Sequence, residues 1–167
     1  MKKALSVFLM AFASNSHSGN NHFKSIYIDT TNHVHIVFPD GRDKQISSMG
    51  HAAHASLAPD QRSAAWLVLN TGTEEGDAGP GTSQLAIYAN NRLRHINCEP
   101  FIRDYWFWKG GTQVAIDCGG RHFAGTVILY DAQTLQKIES VFPADLPEDR
   151  RPAWSRPESN GDAGTVQ

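Results

Sequence analysis

The sequence predicts an all-β fold of consecutive antiparallel hairpins, and three observations carry that expectation. Apolar residues gather in short, strand-length runs bounded by turn residues, as at Pro39-Asp40-Gly41. No stretch keeps a helical period for more than about two turns. Strand–turn–strand patterns also recur along the chain at related positions.

Taken from the N-terminus, residues 1–13 read as a signal peptide. Lys2 and Lys3 precede the apolar run Ala4–Ala13, which closes on the small-x-small triplet Ala11-Phe12-Ala13. A buried N-terminal helix is the alternative, but the run holds only one polar residue, Ser6. Residues 14–24 are rich in Ser, Asn and His and read as a flexible leader. A β-repeat domain is expected over residues 25–142. Its strands are Ser25–Ile28, Val34–Phe38, Ala64–Leu69, Gln84–Ala89, Leu93–Ile96, Tyr105–Trp108, Gln113–Cys118, Thr126–Tyr130 and Leu135–Val141. Each is enriched in β-branched or aromatic residues or alternates apolar with polar. Residues 143–167 carry Pro143, Pro147, Pro152 and Pro157 and read as a poorly ordered tail, anchored at Trp154.

The repeats are the most informative feature. Leu85–Ile96 aligns without gaps to Val127–Ile138: each has a strand carrying a tyrosine (Tyr88, Tyr130), a turn and a second strand. Val34–Ile46 is a looser third copy. Leu57–Trp66 aligns with Phe107–Ile116. A four-strand unit at a spacing of ~40–50 residues is the mark of a propeller blade. These residues resemble the repeats of TolB-like propellers, relatives of the WD repeat. Ala58-Pro59-Asp60 stands for their Ser-Pro-Asp, and Ala64-Ala65-Trp66 for their Ile-Ala-Phe. Gln61 replaces their glycine, Lys109-Gly110-Gly111 lacks the Pro-Asp pair, and Arg156 interrupts the blade-like opening Pro152-Ala153-Trp154-Ser155. The resemblance spans about residues 30–157 and implies blades that serve as a binding platform. Only about three blades fit, too few to close a ring alone, which takes at least about four. An open stack, a sandwich or closure by a second chain would each be compatible with that shortfall.

Composition narrows the partners. The chain is 40% hydrophobic and 19% charged, with a formal net charge of -2. That balance lacks the basic footprint of a nucleic-acid binder. No apolar run reaches the ~18 residues of a membrane span. In an exported protein Cys98 and Cys118 are expected to pair, since oxidising compartments favour disulfides. Two unrelated buried thiols are the alternative. Zinc is disfavoured because neither cysteine belongs to a Cys-x-x-Cys pair.

Eight histidines raise a metal reading. His33 and His35 would share one face of a strand, and His51 and His54 would suit a helical turn. Four imidazoles could converge on zinc or copper, but no glutamate lies between His51 and His54 as in a zincin. Turn or blade-edge roles are the competing assignment. Tyr105-Trp106-Phe107-Trp108 places Trp106 and Trp108 on one strand face, either as a stacking platform for a glycan or peptide or as a strand buried on both sides. The loop Gly119-Gly120-Arg121-His122 offers Arg121 and His122 to an anionic partner. The acidic loop Thr73–Gly81 lacks the ligand spacing of a calcium loop. There is no nucleophile elbow, phosphate-binding loop or dinucleotide fingerprint.

The resulting expectation is a periplasmic or secreted, non-catalytic module with no cofactor. It would bind another protein or a copy of itself through Trp106, Trp108, Arg121, His122 and exposed strand edges, as an envelope-complex component or a toxin-neutralising protein would. A metal-dependent hydrolase using His33, His35, His51 and His54 is the alternative.

Overall fold

A computed structural model describes residues 22–70, 81–120 and 124–157. The fold is all-β. Among the described residues eleven strands form three separate antiparallel sheets, none closed into a barrel. The first sheet comprises β1 (Ser25–Ile28), β2 (Val34–Val37) and β3 (Asp43–Gln45). The second holds β4 (Ala52–Leu57), β5 (Ser63–Val68), β6 (Gln84–Ala89) and β7 (Arg92–Asn97). The third holds β8 (Ile102–Trp108), β9 (Gln113–Cys118), β10 (Thr126–Asp131) and β11 (Lys137–Val141). Strand order within each sheet follows chain order, so each is a simple meander.

The sheets stack on one another through alternating side chains. On β5, Ala64 and Trp66 face the first sheet, while Ala65 and Leu67 face the third. On β6, Ala86 and Tyr88 face the first, and Leu85 and Ile87 the third. This explains why β5 and β6 read as unbroken apolar runs: both faces of the second sheet are buried. Val34, Ile36 and Ile46 complete one layer of core, and Ile102, Tyr105, Val114 and Ile116 complete the other. The alanines at positions 64, 65 and 86 are fully buried and let neighbouring sheets approach.

Two glycines mark close approaches. A Cβ at Gly50 would strike the Thr31 carbonyl, where the chain entering β4 crosses the β1–β2 turn. Gly111 has φ +98°, and a Cβ there would lie 2.9 Å from that of Ala58. Gly50 thus marks the spacing between the first two sheets, and Gly111 combines a close approach to Ala58 with the positive φ of the β8–β9 turn.

Three sequence expectations are corrected. Residues 51–54 do not form a helical turn, because Ala52–Leu57 is β4, an extended strand with an irregular register against β5. Phe23, assigned to the flexible leader, is buried between the first two sheets and its N–H donates to the Gln61 carbonyl at 2.7 Å. The segment from Pro143 to Pro157 is not poorly ordered. It forms three short 3₁₀ turns at Pro143–Asp145, Glu148–Arg150 and Ala153–Ser155. Each begins at or directly after a proline, whose fixed φ and missing N–H suit a turn's first positions.

That segment covers the outer face of the third sheet. Trp154 is buried against Ala115, Val127 and Leu129, with Trp106, Trp108 and Val141 around them. Trp106 Nε1 donates to the Trp154 carbonyl at 3.0 Å, and Trp154 Nε1 donates to Glu139 at 3.1 Å. Cys98, just past β7, is disulfide-bonded to Cys118 at the end of β9, with Cα atoms 5.9 Å apart. The bridge therefore ties the second sheet to the third.

Two stability predictions follow from these fastenings. A Cys98→Ser, Cys118→Ser double variant opens a link across a sequence separation of 20. It should lose about 3 kcal/mol in urea unfolding, and an unchanged midpoint would contradict the stapling role. Trp154→Ala should cost about 3–5 kcal/mol and raise amide exchange across 143–157. Protection retained there would show that other contacts hold the segment.

Candidate functional site

Three surfaces carry the chemistry. The first is the outer face of the first sheet, which among the described residues has no further sheet packed on it. Alternation turns Val34 and Ile36 inward and His35 and Val37 outward. Tyr27 lies directly opposite His35, and Asp43 opposite Val37, so the three side chains share this face. The Tyr27 and His35 rings stack with centroids 4.9 Å apart. The Tyr27 hydroxyl donates to Asp43. His35 Nδ1 lies 2.7 Å from the same carboxylate, and Nε2 lies 3.3 Å from Asp29. Both ring nitrogens of one imidazole thus face carboxylates.

Asp29 is placed by the turn after β1. Its Oδ1 accepts from the Thr31 N–H and hydroxyl, each at 2.8 Å, and from the His33 N–H at 2.9 Å. Short-range capping of this kind is what makes Asp a turn residue. The His33 N–H above all, then the Thr31 hydroxyl, hold the Asp29 carboxyl down at about 2. Hydrogen bonds from Tyr27 and His35 lower Asp43 as well, and the same bond to Asp43 raises Tyr27. The result is a fixed polar patch around the exposed Tyr27 ring.

The second surface is the aromatic strand β8. Trp106 and Trp108 do share a face, and both pack beneath the C-terminal segment with Trp154 on them. On the opposite face Tyr105 and Phe107 point into the core between the second and third sheets. The strand is therefore packed on both sides. Arg121 and His122, the other candidate partner contacts, lie outside the described residues, as do residues 73–80 of the acidic loop.

The third surface is the junction of the second and third sheets. The Tyr105 hydroxyl is shared between the carbonyls of Ala65 (2.8 Å) and His54, and receives a bond from Ser56 Oγ at 2.9 Å. Burial pushes its phenol upward. Beside this knot a cleft of about 450 Å³ is lined by His54, Leu67, Leu69, Phe101, Ile102 and Arg103 among others.

The four-histidine set is not assembled. His33 and His35 sit at the first sheet, His51 lies near Met49, Trp66 and His95, and His54 lies in the cleft of the other junction. Among the described residues no three His, Cys, Asp or Glu side chains are grouped to hold a metal ion. Sequence reasoning missed Tyr27, Asp29 and Asp43. For Tyr27 and Asp29 the signal was the alternation Tyr27-x-Asp29 and His33-x-His35 across a Thr-Thr-Asn turn, which puts those four residues on one side.

No protein-family model matches the chain, and no curated protein matches it.

The Asp29 carboxyl lies below its ordinary value, so its stabilising contribution is present above about pH 4 and is lost as pH falls through about 2. Carbon-13 NMR titration should show Asp29 still ionised at pH 3, and Thr31→Ala should move its midpoint upward. A midpoint near the ordinary 3.8 in the unaltered protein would refute the capping geometry.

Proposed function

We propose that this chain is an exported, non-catalytic protein-binding module built on TolB-like repeats, and that its partner docks on the outer face of the first sheet. The observation carrying this reading is the unequal treatment of the two terminal sheet faces. The third sheet's outer face is covered by the chain's own Trp154, whereas the first presents a prearranged Tyr27–His35–Asp43–Asp29 array.

A different protein fits this face better than a copy of the chain. A copy extending the stack would need the third sheet's outer face, where Trp154 and the 143–157 segment already lie. The first face offers one aromatic ring ringed by polar groups, the composition of a reversible, hydrated interface. Tyrosine with a locked hydroxyl is also the kind of residue on which binding energy concentrates. Export is supported by the Lys2-Lys3 apolar leader and by the Cys98–Cys118 bridge, since structural disulfides persist in oxidising compartments.

The test is capture from envelope extract, with mass measured by light scattering. A Tyr27→Ala, His35→Ala double variant that keeps its circular dichroism should lose at least about tenfold in partner retention. Undiminished capture by the variant would move the interface elsewhere. A stable species that retains no partner and turns over a small substrate would overturn the binding-module reading itself.

A further inference from the structure

We propose that the free edge of β1 receives an extended strand from the partner protein, a mode of docking that rests on the first-sheet reading above and completes that sheet. The second and third sheets have four strands each, and the first has three among the described residues. The repeats identify the vacant place. Val34–Ile46 is the looser copy of Leu85–Ile96 and Val127–Ile138, so β2 and β3 match β6 and β7, and β10 and β11. β1 then matches β5 and β9. The place that β4 and β8 hold in the other sheets lies open beside β1.

Backbone chemistry says what belongs there. The Asp29 N–H donates to the His33 carbonyl, and in the same register Tyr27 stands opposite His35 and Ser25 opposite Val37. Antiparallel pairing alternates bonded and unbonded positions, so Ser25 and Tyr27 bond to β2 while Ile26 and Ile28 point their N–H and C=O groups the other way. Among the described residues no backbone group pairs with them. Groups in a row at strand spacing are matched by another strand.

β1 is also the unguarded edge. Native sheets blunt their edges with charges or bulges. β3 carries Asp43 and Lys44, and β7 carries Arg92 and Arg94. β4, β8 and β11 each meet their neighbour with a slip in register. Ser25-Ile26-Tyr27-Ile28 is uncharged, regular in register and rich in β-favouring residues.

β4 sets the character of the incoming strand. It runs close to β1 without sharing a ladder with it, and its half-buried Ala55 and Leu57 join the core between the first two sheets. A strand added to β1 would place alternate side chains beside Ile26 and Ile28 and over this apolar shelf, so those residues are apolar. The residues between them, beside Tyr27, are polar. The chain's own Ser14-Asn15-Ser16-His17-Ser18-Gly19-Asn20 has no apolar side chain to offer and is rich in residues that strands avoid. A second copy pairing β1 to β1 would bring its own β4 into the space beside the same edge. The occupant is therefore one strand of a different chain.

The probe is a short acetylated peptide alternating valine with threonine, titrated into the full chain and followed by amide hydrogen exchange. Saturating peptide should slow exchange at Ile26 and Ile28 by about tenfold or more, and leave Ser25 and Tyr27, already bonded to β2, within about twofold. Methylating one alternate set of the peptide's amide nitrogens should abolish the effect, and methylating the other set should not. No slowing at about 5 mM peptide, equal slowing along all of β1, or indifference to methylation would each overturn the strand site. Protection of Ile26 and Ile28 before peptide is added would overturn it too, in favour of the chain's own leader if light scattering finds a monomer and of a second copy if it finds a dimer. The first-sheet reading is judged separately, because the Tyr27→Ala, His35→Ala variant changes side chains and leaves the edge's backbone groups in place.

Discussion

A stack of sheets buries every interior face but leaves two at its ends, and the chain answers that constraint differently at each. The second sheet meets it most simply, because Ala64 and Trp66 serve one neighbour while Ala65 and Leu67 serve the other. The third sheet has Trp106, Trp108, Val127 and Leu129 facing outward, which is too much apolar surface to leave wet. Trp154 and its short proline-led turns cover it. The first sheet turns Tyr27, His35 and Asp43 outward and stays polar. Much of what distinguishes the three sheets follows from whether a face has a neighbour.

One side chain makes several of the polar contacts across the junction of the second and third sheets. Tyr105 reaches across from β8 to two carbonyls of the second sheet, and the bulge at His54 brings one of those carbonyls to it. Removing that bulge would restore a regular ladder between β4 and β5 but would leave the Tyr105 hydroxyl with the Ala65 carbonyl as its acceptor and cost the bond to His54. The Cys98–Cys118 bridge lies on the same junction, and the cleft opens there too. Rigidity at this seam is thus a property the fold needs.

How much of this could be read from the residues depends on where each side chain's partner lies. β5, β6, β9 and β10 were legible because burial on one or both faces demands apolar residues in strand-length runs. β3 was legible only as the second arm of the looser copy Val34–Ile46, since Asp43-Lys44-Gln45 is exposed and carries no apolar period of its own. β4 was hidden because Ala, His and Ser are weak strand formers and the bulge at His54 breaks the alternation. Phe23 was lost among polar neighbours, although one buried ring is enough to bring a segment into the core. The prolines of the C-terminal segment were read as disorder, but a proline ends a strand without ending order. The polar array of the first sheet needed Asp43, which reaches His35 only once the β2–β3 turn has folded.

The asymmetry of the end faces also bears on self-association. If both ends of such a stack were apolar and open, one chain's last sheet could seat on the next chain's first, a heterologous contact that repeats without closing and yields a filament. Either end would suffice to stop it, and among the described residues both do. Trp154 fills the place at one end. At the other, an incoming apolar face would have to desolvate Asp29 and Asp43, whose hydrogen bonds already run to Tyr27, His35, Thr31 and His33 and leave the charges nothing further to gain.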